Sequence, residues 1–245
     1  MIRFLRQIRQ NLVEQKNIRT YILYAIGEIL LVVIGILIAL QVNNWNENRK
    51  DNTRAKQYLA SLRTDLQEDL NMMRVGYDIA YADSLQLTSH LKRLNDSEIH
   101  PDTVKNILLY QFDYFIRAPR PFNRKTYTTL LSTGDIGLLN DEVAQRLVQL
   151  IKEQDVRTRL IEAVSDVYNP TIISYSQKYP LGHLPMSQSL TPGLYNDIDK
   201  IQMLKEFNLI ALIKSLNNQR IMARQRGLLP LTEELIHIID QTIPE

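Results

Sequence analysis

The chain has 245 residues, 44% hydrophobic and 23% charged, with 8 Gly and 9 Pro, so it is no linker or low-complexity polymer and can bury a sizeable core. It has no cysteine, which excludes disulfides, thiolate metal sites and a cysteine nucleophile. The formal net charge is +2, and the basic excess sits in residues 1–20, where Arg3, Arg6, Arg9, Lys16 and Arg19 face only Glu14; the chain after residue 42 holds 24 basic and 25 acidic residues, by difference from 29 and 27 overall, and so has no basic footprint for nucleic acid.

Residues 1–20 also place Ile2, Leu5, Ile8 and Leu12 at helical spacing, with Arg3, Arg6 and Arg9 off that stripe. Such a segment is either an amphipathic helix in the headgroup layer or a plain basic tail that marks the cytoplasmic side. Residues 21–42 read YILYAIGEILLVVIGILIALQV. About 22 such residues suffice to cross a hydrocarbon core of about 30 Å as one helix. The run is longer than a usual signal-peptide core and no small-x-small cleavage site follows it, so an uncleaved signal anchor is expected. The N-terminus is expected in the cytoplasm and the rest outside, although Arg49, Lys50, Arg54 and Lys56 also flank the far end. Glu28 is the acidic residue of the run. It either reaches the nearer interface or contacts another helix. Gly27 and Gly35 lie eight residues apart on similar faces, a weak packing signal, and Trp45 follows the run where an indole anchors at an interface.

Beyond residue 43 the periodicity is helical. Leu59, Leu62, Leu66, Leu70, Met73 and Tyr77 form one apolar seam, either a core face or a coiled-coil dimer surface, on a helix that could continue directly from the apolar run. Asn95, Asp96 and Ser97 break the pattern, and Pro101 suits the start of the next helix, whose buried face is expected to be Val104, Ile107, Leu108, Phe112 and Phe115. Pro119 and Pro121 deny helical hydrogen bonds and make residues 118–121 a loop. A short helix over 126–133 should end on Gly134, and Asn140 should cap the helix lined by Val143, Leu147, Leu150, Ile151, Leu160, Ile161, Val164 and Tyr168, with Pro170 kinking or ending it. Residues 179–197 form the longest irregular stretch. Phe207, Ile210, Ile213, Leu216 and Ile221 mark a further helix, which Gly227 and Pro230 separate from a last one carrying Leu231, Leu235, Ile238 and Ile239. The expected fold is all-α: one N-terminal transmembrane helix (21–42) between a basic tail (1–20) and a bundle of about six or seven helices (43–245).

The stretch from residue 8 to 47, and above all AIGE at 25–28 through NNWNE at 43–47, resembles the N-terminal signature of a large uncharacterised family of single-pass membrane proteins of Gram-negative bacteria, catalogued only as a domain of unknown function. A second similar block runs from Thr126 and Tyr127 through Ser132, Thr133, Gly134 and Asp135. The resemblance implies an inner-membrane anchor and an exported, periplasmic helical domain. It carries no activity, ligand or catalytic residue.

Little in the sequence points to chemistry. His90, His100, His183 and His237 do not pair at metal-ligand spacing, and Asp65, Glu68 and Asp69 share a helix face that reads as solvated or, less simply, as a cation site. The Gly residues around 134–137 follow a helix, without the Lys of a phosphate loop. Arg117, Arg120 and Arg124 with Phe122 form the densest local charge outside the tail, on a Pro-stiffened loop suited to an anionic partner or lipid headgroup. The expectation is a non-enzymatic interaction or scaffold module at the bacterial inner membrane, without catalytic, metal or cofactor site. Its partners would be the bilayer, and a protein or a second copy through the transmembrane helix or the 59–77 seam. An envelope enzyme, or a ligand-sensing bundle that signals through a partner, is the alternative.

Overall fold

The computed structural model describes residues 18–96, 98–179, 181 and 195–242. The amphipathic segment expected near the N-terminus, and most of 179–197 with His183, lie outside these. Among the described residues five helices occur and no strand: α1 (Ile18–Leu94), α2 (Pro101–Asn106), α3 (Lys125–Thr133), α4 (Asp141–Lys178) and α5 (Lys200–Thr242). The chain divides into two units, Met1–Lys56 and Gln57–Glu245.

Five helices replace the expected six or seven because two prolines do not end the helices that contain them. Pro170 lies within α4 and Pro230 within α5, both on exposed faces. A proline there frees a carbonyl that water can solvate, while buried Tyr168 and Tyr175, or Leu228 and Leu235, hold the helix on either side. Gly227 also stays helical, where α5 passes close to the Arg157 guanidinium of α4.

The local start and stop signals act as the sequence indicates. Pro101 opens α2, the Asn140 side chain accepts the Val143 N–H at 2.8 Å to cap α4, and Gly134 ends α3 in the left-handed conformation at φ 76°. Asp199 caps α5 by accepting the N–H groups of Ile201 and Gln202, both at 3.0 Å. α2 widens into a π-turn over Ile107–Gln111, closed by the Phe112 N–H on the Ile107 carbonyl. The wide turn buries Ile107, Leu108 and Leu109 in succession, and the helix ends there, which leaves Phe115 exposed rather than on the expected buried face.

The second unit has two apolar cores. The first gathers Leu62, Leu66 and Leu70 of α1, Leu130 of α3, Leu147 and Leu150 of α4, and Leu228, Leu235 and Ile239 of α5. The second gathers Leu87 of α1, Phe112 and Tyr114, Tyr168 and Tyr175 of α4, and Met203, Phe207 and Ile210 of α5. α1 and α4 therefore run from the first core to the second, and α5 returns antiparallel. The 59–77 seam is core, packed by the chain's own helices; its leucines and Met73 are at most 4% exposed.

Parallel α1 and α4 oblige the chain to travel back along the bundle between them. Residues 112–124, which hold no helix, make this return. One end lies beside Asp83 and Lys214, the other beside Asp69. Fourteen helical residues separate Asp69 from Asp83, about 21 Å at 1.5 Å per residue. The ten steps from residue 113 to residue 123 would reach only about 15 Å as a helix, but up to about 33 Å extended. Pro119 and Pro121 hold the residues before them in that extended range.

The return segment satisfies its backbone through side chains of the long helices. Lys214 Nζ, 2% exposed, donates to the carbonyls of Asp113 at 2.7 Å and Phe115 at 2.8 Å and sits 3.3 Å from the Asp83 carboxylate. Tyr168 donates to the Tyr114 carbonyl at 2.7 Å. Removing one partner of a buried ion pair strands the other. Lys214→Met should therefore cost about 3–5 kcal/mol, whereas exposed Lys205→Met should cost less than about 0.5 kcal/mol. Urea unfolding of the full chain in detergent checks both, and equal small losses would show that Lys214 does not hold the return segment.

Candidate functional site

The residues expected to associate with a membrane share an open surface. From Ile22 to Val42 the large apolar side chains are exposed, most of them by half or more, and Glu28 is exposed with them. A Cβ added at Gly27 or Gly35 would meet nothing within 4 Å. Trp45 is 66% exposed, with the Arg49 guanidinium 5.9 Å from its ring centre. Among the described residues one helix is long and apolar enough to cross a membrane, and its apolar window is unburied.

The expected arginine cluster splits. Phe122 is buried in the first core with the Arg224 guanidinium 4.2 Å over its ring, so it is no exposed anchor. Arg124 is half-buried and bound to Asp155 at 2.7 Å. The loop that carries them must pack to make its return, and packing consumes both side chains. Arg117 and Arg120 stay exposed and turn to a cleft instead.

That cleft, about 290 Å³, lies between α1, α5 and the return segment. Its apolar wall includes Met72, Val75, Ile79 and Ile221, and its polar wall includes Arg117, Arg120, Asn218, Arg224 and Gln225. It sits where the two cores give way to a narrow contact of Ala80, Ile161 and Ile221. Arg224 is 3% exposed, yet among the described residues its only hydrogen bond is a long one, 3.4 Å from Nη2 to the Arg120 carbonyl, and its Nε has no partner. Gln225 Oε1, also buried, has none either. Gly76 lets α1 approach here, since a Cβ would stand 3.0 Å from Gln225 Nε2. Among the described residues no carboxylate lies within ion-pairing distance of Arg117, Arg120 or Arg224, whereas Arg63, Arg74, Arg124, Arg146 and Arg157 each hold one.

Sequence reasoning found the buried face of α5 at Phe207, Ile210, Ile213 and Ile221 but missed Arg224 by counting only apolar residues along it. Phe207, Ile210, Lys214, Asn217, Ile221, Arg224, Leu228, Thr232, Leu235 and Ile239 step by three and four, and all are buried. Leu216, placed on the buried face by the sequence pattern, is exposed, as is Leu160 of α4. Polar residues in register with an apolar stripe were the available signal.

Asp65, Glu68 and Asp69 form neither a solvated face nor a cation site. Asp69 accepts the Asn123 N–H at 2.9 Å, Asp65 the Thr126 N–H at 3.0 Å, and Glu68 the Asn123 side-chain amide at 2.9 Å. Carboxylates of α1 thus cap the N-terminus of α3, where its unpaired N–H groups and dipole favour negative charge. Burial pushes the Asp69 carboxyl up to about 6, against the lowering effects of the Asn123 hydrogen bond and of Arg124 and Arg224. Burial also pushes Arg224 down to about 10, opposed by Asp69 and Glu162. Both remain charged at neutral pH.

An acid whose folded-state pKa lies above its unfolded value binds its proton earlier in the native state, so acidification favours that state. As pH falls from about 6 to about 4, wild type should gain stability relative to Asp69→Asn. A shift of about two units corresponds to at most about 3 kcal/mol. Urea unfolding at stepped pH checks this, and a constant difference would contradict a desolvated Asp69.

No curated protein and no solved structure matches the chain. A family model described as "Family of unknown function (DUF6090)" matches residues 28–177, from Glu28 in the apolar run to the end of α4. The match takes in the carboxylates of α1, the return segment and the helix they cap, more than half of the chain, and the protein belongs to the DUF6090 family.

Proposed function

We propose that the protein is a membrane-anchored, non-enzymatic helical interaction module of the bacterial inner membrane. The observation that carries this is the continuous unpacked apolar surface from Ile22 to Val42, where every large aliphatic side chain is exposed. A surface of that size in water would be a severe liability, and lipid is its simplest complement. The basic residues before the run favour a cytoplasmic N-terminus and a periplasmic second unit. Gly27, Glu28 and Gly35 lie on the lipid-facing helix as its candidate contact with a second copy or a partner span. The 59–77 seam is occupied by the chain itself, so association falls to the transmembrane helix and to the arginine-lined cleft. The cleft also favours the second reading, a ligand-sensing bundle acting through a partner, over an envelope enzyme.

The protein should resist extraction from membranes by alkaline carbonate, and a phosphatase reporter fused after Glu245 should be active outside the cytoplasm. Release by carbonate would remove the anchor, and reporter activity confined to the cytoplasm would invert the topology. Glu28→Leu should leave the melting of the second unit unchanged and alter crosslinking between spans. Unfolding of that unit with unchanged crosslinking would assign Glu28 a different role.

A further inference from the structure

The cleft is built around cations that no carboxylate of the described residues pairs with. Arg224 is nearly fully buried, its charge already disfavoured by desolvation, and its five N–H donors have one long acceptor between them. Asp69 is engaged with the Asn123 backbone and lies beyond ion-pairing distance. A guanidinium so placed is normally matched by a carboxylate or phosphate, whose paired oxygens fit its planar fork. Arg117 and Arg120, both exposed, add two further arginines to the lining, without an ion pair among the described residues. Opposite them stands an apolar wall of Met72, Val75, Ile79 and Ile221. A free inorganic anion would use the cations and leave that wall wet. A neutral apolar molecule would cover the wall and leave the cations unmatched.

We propose that this cleft binds a small organic oxyanion, with a carboxylate or phosphoryl head held by Arg117, Arg120 and Arg224 and an apolar body against Met72, Val75, Ile79 and Ile221. The ligand names what the interaction module proposed above recognises, and to that extent rests on it. Volume limits the occupant to small-molecule size, about 300 Å³ being the low end of ligand pockets. The head locks the return segment to α5, because two of its three cations belong to that segment and the third bonds its backbone. Occupancy thus stiffens the stretch between the two cores, where the buried apolar contact is the small cluster of Ala80, Ile161 and Ile221.

The test uses the full chain in detergent micelles, followed by thermal melting and calorimetric titration. The probes are benzoate and phenyl phosphate, with benzamide and benzylamine as matched neutral and cationic bodies and inorganic phosphate as a head without a body. Benzoate, phenyl phosphate or both should bind and raise Tm in a concentration-dependent way; which of them does so identifies the head. Benzamide and benzylamine should not, and inorganic phosphate should bind about tenfold more weakly or worse. The double variant Arg117→Gln/Arg120→Gln alters exposed side chains, so its ligand-free Tm should match wild type while its affinity falls about tenfold or more. Val75→Trp, at a position 54% exposed on the apolar wall, should obstruct the site without unfolding the chain. Absence of binding by both aromatic anions, equal binding of benzamide or of inorganic phosphate, or wild-type affinity in either variant overturns the proposal. Carbonate extraction is read on the same preparations, so failure of anion binding with membrane retention intact overturns this inference and leaves the anchoring in place.

Discussion

The return of the chain between two parallel helices is the constraint from which the rest of the second unit follows. α1 and α4 point the same way, so ten residues must cover a distance that takes fourteen in a helix. The segment has to be extended, and an extended segment without a neighbouring strand has backbone groups with no ladder to join. Each anchor identified along it answers that need. Lys214 and Tyr168 donate to carbonyls at one end, Arg224 to one in the middle, and Asp69 and Asp65 accept N–H groups at the other. Buried charge that looks extravagant on a helix is the solvent of an extended strand. That explains why a helix otherwise made of Phe207, Ile210, Ile221 and Leu228 carries Lys214 and Arg224 on the same stripe.

The same geometry separates the two cores. Where the segment lies across the bundle, its polar anchors displace the leucines and tyrosines that fill either side, and the apolar contact narrows to Ala80, Ile161 and Ile221. Asn217, Asn218, Arg224 and Gln225 are buried along this zone of α5. Several of their polar atoms lack partners, a departure from the near-complete pairing expected inside proteins. Asn218 is satisfied by Asp83 at 2.8 Å, which ties the anchor of Lys214 to the edge of the cleft. The first core is mainly aliphatic and the second is rich in aromatic rings, with Phe112 edge-on to both Tyr114 and Phe207 at 4.7 Å. They differ in what they pack against: leucines of four helices on one side, the buried turn of α2 and the tyrosines of α4 on the other.

Much of this fold was legible in the sequence. The seam from Leu59 to Met73, the caps at Asn140 and Gly134, the Pro101 start and the all-α class follow from local rules whose causes lie within a few residues. What was not legible depends on neighbours distant in sequence. Pro170 and Pro230 look like breaks until their exposure is known, because the cost of a lost helical bond depends on whether water can reach the freed carbonyl. Asp65 and Asp69 look solvated because the backbone they cap lies more than 50 residues away. Phe122 looks like an exposed anchor because nothing local shows that the loop crosses a core. At the cleft only the arginines of the loop could be named. Arg224 is in phase with the stripe of Phe207, Ile210 and Ile221, but a charged residue is not counted in an apolar pattern until packing with α1 and α4 shows that it is buried.

The antiparallel course of α5 has a consequence for how the chain is made. α5 supplies residues to both cores, and its Lys214 reaches back 101 residues to Asp113. Until α5 has been synthesised, the seam of α1 and the stripe of α4 have no lid on either core, and the carbonyls of Asp113 and Phe115 lack the Lys214 donor. The apolar run that would target a membrane precedes all of this in the chain. That run is thus complete while the second unit is still open, and closure is a late, long-range event of high contact order. Between those moments the nascent chain leaves its leucine seam uncovered.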